Sequence, residues 1–344
     1  MRKYFYNIIT QKKREPFDII IRPLLILMSL LYLSAIKARS LLYINGIFKS
    51  SRLSFPVISI GNITWGGTGK TPLAEAISSH LCSEGKKVTL LTRGYGSDED
   101  RSMAKNLKGV KIITGSNRLS NALFQQQKGA TDLFILDDGF QHFKIRRNVD
   151  IVTVNATEPF GNNHLIPAGI LREPLSSFSR ADMIVLTKCD LVSEARLAEI
   201  KAYIKKINYP ADIFESVHEP ELLYTRDGNT HPLEYLKGKT VSAVSGLGDN
   251  SSFITTLKNL GADVAAENSY MDHHQYTDDD LIAIHDTAKE KRIKTVVTTE
   301  KDWVKLKLAL GASFAQIEFL VLKIRLRIKN EQDFYKRLHT LLSG

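Results

Sequence analysis

Residues 57–71 read Val57-Ile-Ser-Ile-Gly-Asn-Ile-Thr-Trp-Gly-Gly-Thr-Gly-Lys-Thr71. The β-branched start of this stretch predicts a short strand, and the glycines after it predict a loop. The loop closes on Gly-Lys-Thr, which is the ending of a phosphate-binding P-loop. Apolar residues at helical spacing then predict a helix whose amino terminus points at the phosphates; they are Leu73, Ala74, Ile77 and Leu81. The chain is therefore predicted to bind a nucleotide.

The residue types in this loop suit phosphate binding. Glycines let backbone N–H groups converge on phosphate oxygens, Lys70 brings a cation to the β- and γ-phosphates, and Thr71 offers a hydroxyl to Mg²⁺. The common pattern has glycine where this chain has Thr64, so the match is partial, and a glycine-rich turn without a catalytic role is the alternative. The residues predicted to bind the nucleotide are Thr64, Trp65, Gly66, Gly67, Thr68, Gly69, Lys70 and Thr71.

Two carboxylates follow an apolar run, Leu133-Phe-Ile-Leu-Asp137-Asp138. P-loop enzymes hold Mg²⁺ with acidic residues at the carboxyl end of a strand. Together with the P-loop hydroxyl, this pattern predicts a magnesium site formed by Thr71, Asp137 and Asp138. A plain turn after the strand is the alternative, because Asp-Asp-Gly also favours turns.

A cation and a base are the other groups that phosphoryl transfer needs. Arg172 lies in a loop-rich passage with few charges, where it either clamps a phosphoryl group or pairs with Glu173 or Asp182. Residues 92–99 read Thr-Arg-Gly-Tyr-Gly-Ser-Asp-Glu and follow a predicted strand. They either supply a base for an attacking hydroxyl or form a solvated loop.

A third segment, residues 270–276, places an acid beside two imidazoles, His273 and His274. Such a cluster is suited to tuning a catalytic carboxylate. It is a weak metal site, because the side chains of adjacent residues diverge on a helix or a strand.

Short runs rich in β-branched residues alternate with helical patterns along the chain. The alternation predicts an α/β fold, with a P-loop NTPase-like, mostly parallel sheet that carries helices on both faces, and a smaller C-terminal α/β domain. The predicted strands are 57–60, 88–91, 110–113, 133–136, 151–154, 183–186, 241–244, 296–299 and 319–322. A polar, turn-rich stretch at 219–239 predicts the domain boundary. The predicted domains are an N-terminal membrane-associating helical segment 1–45, a P-loop core 46–225, and a C-terminal domain 226–344 that closes the active-site cleft.

Composition limits the partners. The 344 residues are 43% hydrophobic and 24% charged, which is ordinary for a folded protein. A formal net charge of +10 suggests nucleic acid, an anionic membrane or a phosphorylated substrate as partner. No basic stripe with interleaved aromatic residues is present, so nucleic acid is not expected, and no obligate protein partner is inferred. The two cysteines, Cys82 and Cys189, lack metal or disulfide spacing and fit a reducing cytosol.

The N-terminal region contains an uncharged stretch, residues 23–36, with basic residues on both sides. This stretch is shorter than the roughly 20 apolar residues that span a bilayer, and no convincing cleavage site follows it. We therefore predict an amphipathic helix in the plane of an anionic membrane surface. A buried helix that caps the domain is the alternative.

Thr187-Lys-Cys-Asp190 lies at the end of a predicted strand. It is similar to the T-K-x-D motif with which GTPases read guanine. Together with the basic N-terminus, it supports an alternative function, a membrane-associated P-loop GTPase switch.

Taken together, the motifs resemble those of the tetraacyldisaccharide 4'-kinase family of lipid A biosynthesis, through nearly the whole chain. The matching segments are Gly61-Asn62, Arg93-Gly94-Tyr95, residues 136–142, Phe160-Gly-Asn, Pro167-Ala-Gly, residues 171–174, Asp272-His273-His274 and residues 299–302. The family also has Thr or Ser at the position of Thr64.

The resemblance implies an ATP-dependent lipid kinase. Members transfer the γ-phosphoryl group of ATP to the 4'-hydroxyl of tetraacyldisaccharide 1-phosphate, which gives lipid IVA. They are monotopic proteins on the cytoplasmic face of the bacterial inner membrane. The site residues that the resemblance implies are Lys70, Thr71, Asp137, Asp138, Gln141 and Arg172, with ATP and Mg²⁺ as cofactors.

The resemblance also implies a catalytic aspartate supported by a histidine from the second domain. The matching positions are Asp98 for the aspartate, preferred over the neighbouring acid Glu99, and His273 for the histidine. Two departures affect this assignment: the connection before Asp98 is much shorter than in the family, and Asp100 stands where proline is usual. The expected mechanism is in-line attack of the sugar hydroxyl on the γ-phosphate while Asp98 accepts the proton.

Overall fold

The computed structural model describes residues 18–94, 103, 107–247, 249–271, 274–309, 314 and 316–343. The described residues form two compact units. The first takes its residues from Met1–Gly94, Asn106–Val217 and Arg327–Gly344, and the second from Tyr95–Lys105 and His218–Leu326.

The elements follow one another in the alternating order that the sequence predicts. The helices and strands are α1 (Asp18–Ile44), β1 (Val57–Gly61), α2 (Lys70–Ser83), β2 (Val88–Thr92), β3 (Lys111–Thr114), α3 (Arg118–Gln127), β4 (Leu133–Asp137), β5 (Val149–Asn155), β6 (Met183–Thr187), α4 (Glu194–Ile207), β7 (Asp212–Thr225), β8 (Thr230–His231), β9 (Thr240–Ser245), α5 (Asn250–Asn259), β10 (Asp263–Ser269), α6 (Asp278–Glu290), β11 (Thr295–Thr299), α7 (Glu300–Ala309), β12 (Glu318–Ile328) and α8 (Glu331–Ser343). Short 3₁₀ helices occupy Leu175–Arg180, Cys189–Leu191 and Leu233–Leu236.

The sheet of the first unit has the order β3-β2-β4-β1-β5-β6-β7, and every neighbouring pair is parallel. All residues of β1, β2, β4, β5 and β6 are buried. Strands that are buried along their whole length suit a parallel sheet that is covered on both faces, because neither face meets water. The apolar stripe predicted on the helix after the P-loop is confirmed, since α2 buries it. The predicted mostly parallel α/β fold is confirmed.

The second unit repeats the architecture on a smaller scale. Strands β10, β9, β11 and β12 run parallel in that order, and the later part of β7 lies beside β12. The short strand β8 pairs antiparallel with β7. Apolar residues from these strands and from α5, α6 and α7 form its buried clusters.

The compact units differ from the predicted domain ranges in two places. The division falls between Val217 and His218, inside the continuous strand β7, and α8 belongs to the first unit rather than to the C-terminal one. The reason for the second difference is packing, because Phe334 of α8 is fully buried and its ring lies 5.1 Å from that of Phe214. The predicted boundaries at residues 45 and 225 stay predictions about domains.

The helix α1 is longer than the uncharged stretch that the sequence highlights. By length and composition alone, Ile21–Ile44 qualifies as a candidate membrane span. An 18-residue stretch of it has a mean hydropathy of 1.6, and 11% of that stretch is buried. One face of α1 packs on the rest of the first unit, where Leu25 and Ser29 are buried and the Ser29 hydroxyl donates to the Leu165 carbonyl at 2.9 Å. Apolar side chains elsewhere on α1 are exposed, namely Leu24, Leu27, Met28, Leu30, Leu31, Leu41 and Ile44.

Candidate active site

The loop between β1 and α2 has the backbone conformation that its glycines allow. Gly66 has φ of 117° and Gly69 has φ of 79°, both in the region that disfavours residues with a Cβ. Gly69 directly precedes the first turn of α2, so the sharp change of direction brings Lys70 and Thr71 to the amino terminus of that helix.

Buried polar side chains fix the loop from inside. The Asn62 amide donates to the Thr64 carbonyl at 2.6 Å and to the Thr68 hydroxyl at 2.9 Å. The Thr68 hydroxyl also lies 2.9 Å from that of Thr153, and the Thr187 hydroxyl donates to the Thr68 carbonyl at 3.1 Å. All five residues are buried. Thr187, the first residue of the T-K-x-D segment, therefore holds the P-loop in place.

A second backbone segment, residues 170–172, runs beside the loop and carries Arg172. The Trp65 amide donates to the Ile170 carbonyl at 2.6 Å, and the Arg172 amide donates to the Ile63 carbonyl at 2.7 Å. The Tyr32 hydroxyl of α1 donates to the Arg172 carbonyl at 3.0 Å. The passage that lacks regular secondary structure is thus held on both sides, and Arg172 lies at the P-loop.

The strand pairing places the two acids at the same edge. Strand β4 pairs with β1 so that Asp137 lies opposite Ile60, one residue before β1 ends. The Asp138 carboxylate accepts hydrogen bonds from Arg172 Nη1 at 2.8 Å and Nη2 at 3.2 Å, and Lys70 Nζ lies 3.8 Å from its Oδ1. Residues that are far apart in the sequence therefore meet in one ion-paired cluster.

The charge state of Asp138 follows from this cluster. Burial by itself raises the pKa of the carboxyl, but the Lys70 ammonium and then the hydrogen bonds and charge of Arg172 outweigh it and hold the pKa below its ordinary value. Asp138 is therefore ionised at neutral pH.

Gln141 joins the cluster through Asn62. Its amide donates to the Asn62 carbonyl at 2.8 Å, and the Asn62 side-chain oxygen accepts from Arg172 Nη1 at 3.1 Å. Arg39 of α1 donates to the Gln141 carbonyl at 3.1 Å. The structure thus brings together the predicted residues Lys70, Asp138, Gln141 and Arg172.

Comparison with known proteins decides the family. The family model described as tetraacyldisaccharide-1-P 4'-kinase matches residues 21–104 and 97–343. A tetraacyldisaccharide 4'-kinase from Halothermothrix orenii is 37% identical over 97% of this chain and 96% of its own length. Another, from Syntrophus aciditrophicus, is 34% identical over 94% of this chain and 93% of its own length.

The chain belongs to the tetraacyldisaccharide-1-P 4'-kinase family.

A solved structure of the same family supports this assignment. The crystal structure titled "apo" form LpxK from Aquifex aeolicus in complex with ATP has a TM-score of 0.68 and 30% sequence identity, and it covers 94% of this chain and 99% of its own. The resemblance that the motifs indicated is confirmed, and so are the phosphotransferase class and the fold. The GTPase alternative is not favoured, because the relatives are kinases.

Some predicted residues are not tested by these contacts. Asp98 and His273 lie outside the described residues, and so do Glu99 and Asp272. The neighbouring His274 belongs to the second unit, where its Nε2 lies 2.8 Å from an Asp280 carboxylate oxygen.

Two residues of this kinase-family site were not predicted from sequence. Arg118 is buried, and its Nη1 donates to the backbone carbonyls of Asp137 at 2.6 Å and Asp138 at 3.2 Å. Asn62 is the other. A signal for Arg118 exists, because a cation in the first turn of a helix opposes the helix dipole and so needs another partner.

The environment of His142, the last residue of the segment 136–142, generates a prediction about pH. Burial, and then the nearby charge of Arg118, lowers its pKa to about 4, and its Nε2 has no hydrogen-bond partner among the described residues. An unfolded chain has the ordinary histidine pKa of about 6.5 and so binds the proton first as the pH falls. The free energy of unfolding should therefore fall between pH 6.5 and about pH 4.

Denaturant unfolding at a series of pH values measures this dependence. His142→Gln removes the titrating group and should flatten the curve within that window, whatever its effect on stability at pH 7. Parallel curves for the two proteins would contradict the assignment.

Proposed function

We propose that this chain transfers the γ-phosphoryl group of ATP to the 4'-hydroxyl of tetraacyldisaccharide 1-phosphate, giving lipid IVA in lipid A biosynthesis. Its family supports the proposal. The observation that carries it is the cluster of Lys70, Asp138 and Arg172 at the carboxyl edge of β1 and β4. Parallel sheets bind ligands at this edge.

The P-loop would hold the phosphates of ATP. The first backbone N–H groups of a helix lack partners within the helix, and the helix dipole favours an anion there. Lys70 would contact the β- and γ-phosphates from the first turn of α2. The residues assigned to nucleotide binding are Thr64, Trp65, Gly66, Gly67, Thr68, Gly69, Lys70, Thr71 and Gln141.

The donor set at the edge fits Mg²⁺. Thr71 offers a hydroxyl and Asp137 and Asp138 offer carboxylates, and Mg²⁺ prefers oxygen ligands of these kinds. These residues would hold the ion, which when bound neutralises charge on the phosphate oxygens.

Arg172 would act on the transferred group. Its guanidinium is already oriented by two hydrogen bonds to Asp138 and one to Asn62. Such a fixed cation stabilises the charge that develops on the phosphoryl oxygens without reorganising during the reaction.

The proton of the sugar hydroxyl would pass to the Asp98 carboxylate, supported by His273. The bond between the 4'-oxygen and the γ-phosphorus forms as the bond from that phosphorus to the leaving oxygen of ADP breaks. The support for these two residues is the match of their positions to the family motifs.

We further propose that α1 binds the anionic cytoplasmic face of the bacterial inner membrane as a monotopic anchor. Its exposed apolar side chains include Leu24, Leu27 and Leu31, which are 58%, 56% and 67% exposed. The basic residues that precede α1 in the sequence would attract anionic headgroups. Acyl chains of the substrate would then lie along α1, whose Tyr32 contacts the segment that carries Arg172.

The kinase reaction is tested directly. Purified protein in detergent micelles, incubated with γ-labelled ATP, Mg²⁺ and tetraacylated disaccharide 1-phosphate, should produce labelled lipid. Lys70→Ala should lower the rate by about 100-fold or more, because one preorganised cation is lost. Lys86→Ala, at an exposed lysine beyond the same helix, is the matched control and should stay active. Release of phosphate without labelled lipid would contradict the acceptor, and displacement of ATP by GTP would favour the GTPase switch.

The proposed base has an internal control in the neighbouring acid. Asp98→Ala should lower turnover by about 10²–10⁴-fold, the usual contribution of a general base, while ATP affinity changes little. Glu99→Ala should retain most of the turnover. Steady-state kinetics and ATP titration of both variants measure the difference, and wild-type turnover in Asp98→Ala would remove Asp98 from the mechanism.

The proposed anchor is tested by flotation with vesicles that contain phosphatidylglycerol. Replacing Leu27 and Leu31 together by Ser should weaken vesicle binding by about tenfold or more, because two apolar side chains no longer enter the lipid. The matched control replaces Leu123 and Phe124, which are exposed on α3, by Ser. An equal loss in both double variants would show that α1 is not the anchor.

A further inference from the structure

Two histidines and a glutamate converge where α2 meets α8 in the first unit. His80 lies in the last turn of α2, Glu84 follows that helix, and His339 belongs to α8. His80 Nε2 is 3.2 Å and His339 Nε2 is 3.0 Å from the same oxygen, Glu84 Oε1, and the three atoms lie within 4.8 Å of one another. We propose that this cluster binds a divalent transition-metal ion of the Zn²⁺ class.

The spacing of the three atoms suits one ion. Bonds of about 2.0–2.1 Å in a tetrahedron place neighbouring ligand atoms about 3.3–3.4 Å apart. The two distances from imidazole to carboxylate, 3.2 Å and 3.0 Å, are already close to this separation. Only the approach of the two imidazoles to each other has to adjust, and a water molecule would complete the tetrahedron.

The ligand types select the class of metal. Imidazole suits Zn²⁺, Cu²⁺, Ni²⁺ and Co²⁺, whereas Mg²⁺ prefers oxygen ligands and keeps several waters. The side chains of His80, Glu84 and His339 are 32%, 34% and 41% exposed, so an ion can enter from solvent.

The packing around the cluster orients its ligands. The His80 ring stacks on that of Tyr335, with centroids 3.3 Å apart and planes 4° apart. Tyr335 is itself buried, and Phe334 and Leu338 anchor the same helix in the core. The two helices are therefore already packed against each other before an ion binds. The ion would add a link between α8 and the carboxyl end of α2.

The proposed ion is separate from the nucleotide site. Lys70 begins α2 and Glu84 follows its end, so the two sites are about 20 Å apart at a rise of 1.5 Å per residue. Metal binding to the His80 cluster should therefore persist in Lys70→Ala and in excess Mg²⁺.

Calorimetric titration of the untagged full-length protein with Zn²⁺, in excess Mg²⁺, tests the proposal. One equivalent should bind. Loss of an outer-shell partner alone costs a metal site about 10–100-fold in affinity, so loss of a direct ligand in His339→Ala or Glu84→Gln should weaken Zn²⁺ binding by at least about tenfold. His285→Ala, at a surface histidine that lies 3.3 Å from Asp286, is the matched control and should leave the affinity unchanged. Titration with Co²⁺ should give visible absorption bands that only the first two variants lose.

Thermal unfolding shows whether each variant is folded, and it measures separately whether Zn²⁺ stabilises that variant. Zn²⁺ should raise the unfolding midpoint of the wild-type protein and of His285→Ala, but not that of His339→Ala or of the more conservative His339→Asn. Absence of Zn²⁺ binding to the wild-type protein would overturn the proposal. Undiminished binding to His339→Ala and Glu84→Gln would do the same, and the cluster would then serve only as a hydrogen-bonded contact between helices.

Discussion

The parallel pairing of β1 with β4 is the constraint on which the site depends. Because Ile60 lies opposite Asp137, the P-loop and the two acids leave neighbouring strands at one edge of the sheet. The buried polar network from Asn62 through Thr68 to Thr153 and Thr187 then ties the loop to strands β5 and β6 as well. A shift of β4 by one residue against β1 would reverse the side chains of β4 and turn Asp137 to the other face of the sheet.

The buried charge of Asp138 makes the cluster cooperative. A carboxylate that is taken out of water is stable only with well-placed cations, and here Lys70 and Arg172 both approach it. Both cations act on the same carboxylate, so the effects of substituting Lys70 and Arg172 should not add. The arginine also depends on α1, because Tyr32 binds its backbone carbonyl. The proposed membrane helix and the site for phosphoryl transfer are thus physically connected.

The strands were predictable where their residues form continuous apolar runs, as in β4 and β6. Strand β7 was not, because its polar alternation includes Glu219 and Pro220, and proline argues against a strand. The motifs predicted Lys70, Asp138 and Arg172, but not which acid the arginine would bind. Glu173 binds Arg180 instead, and Asp182 accepts from the Asp150 amide.

Residues whose partners are backbone atoms were the hardest to predict. Arg118, on helix α3, binds the carbonyls of Asp137 and Asp138 at the end of strand β4, and no residue type marks a carbonyl as a partner. Asn62 likewise binds the backbone of its own loop. Such contacts depend on the fold as a whole, so a motif can mark the position but not the bond.

Helix α2 connects the two binding sites proposed for the first unit. Its dipole places partial positive charge at the end that carries Lys70 and Thr71 and partial negative charge at the end that carries His80. Phosphate is therefore favoured at the amino end and a metal cation at the carboxyl end. Helices commonly carry Lys or Arg in the last turn, but the basic residue in the last turn of α2 is His80. A bound cation would therefore supply the positive charge that the dipole favours there. The two proposed sites thus use opposite ends of one helix, and neither requires the other to be filled.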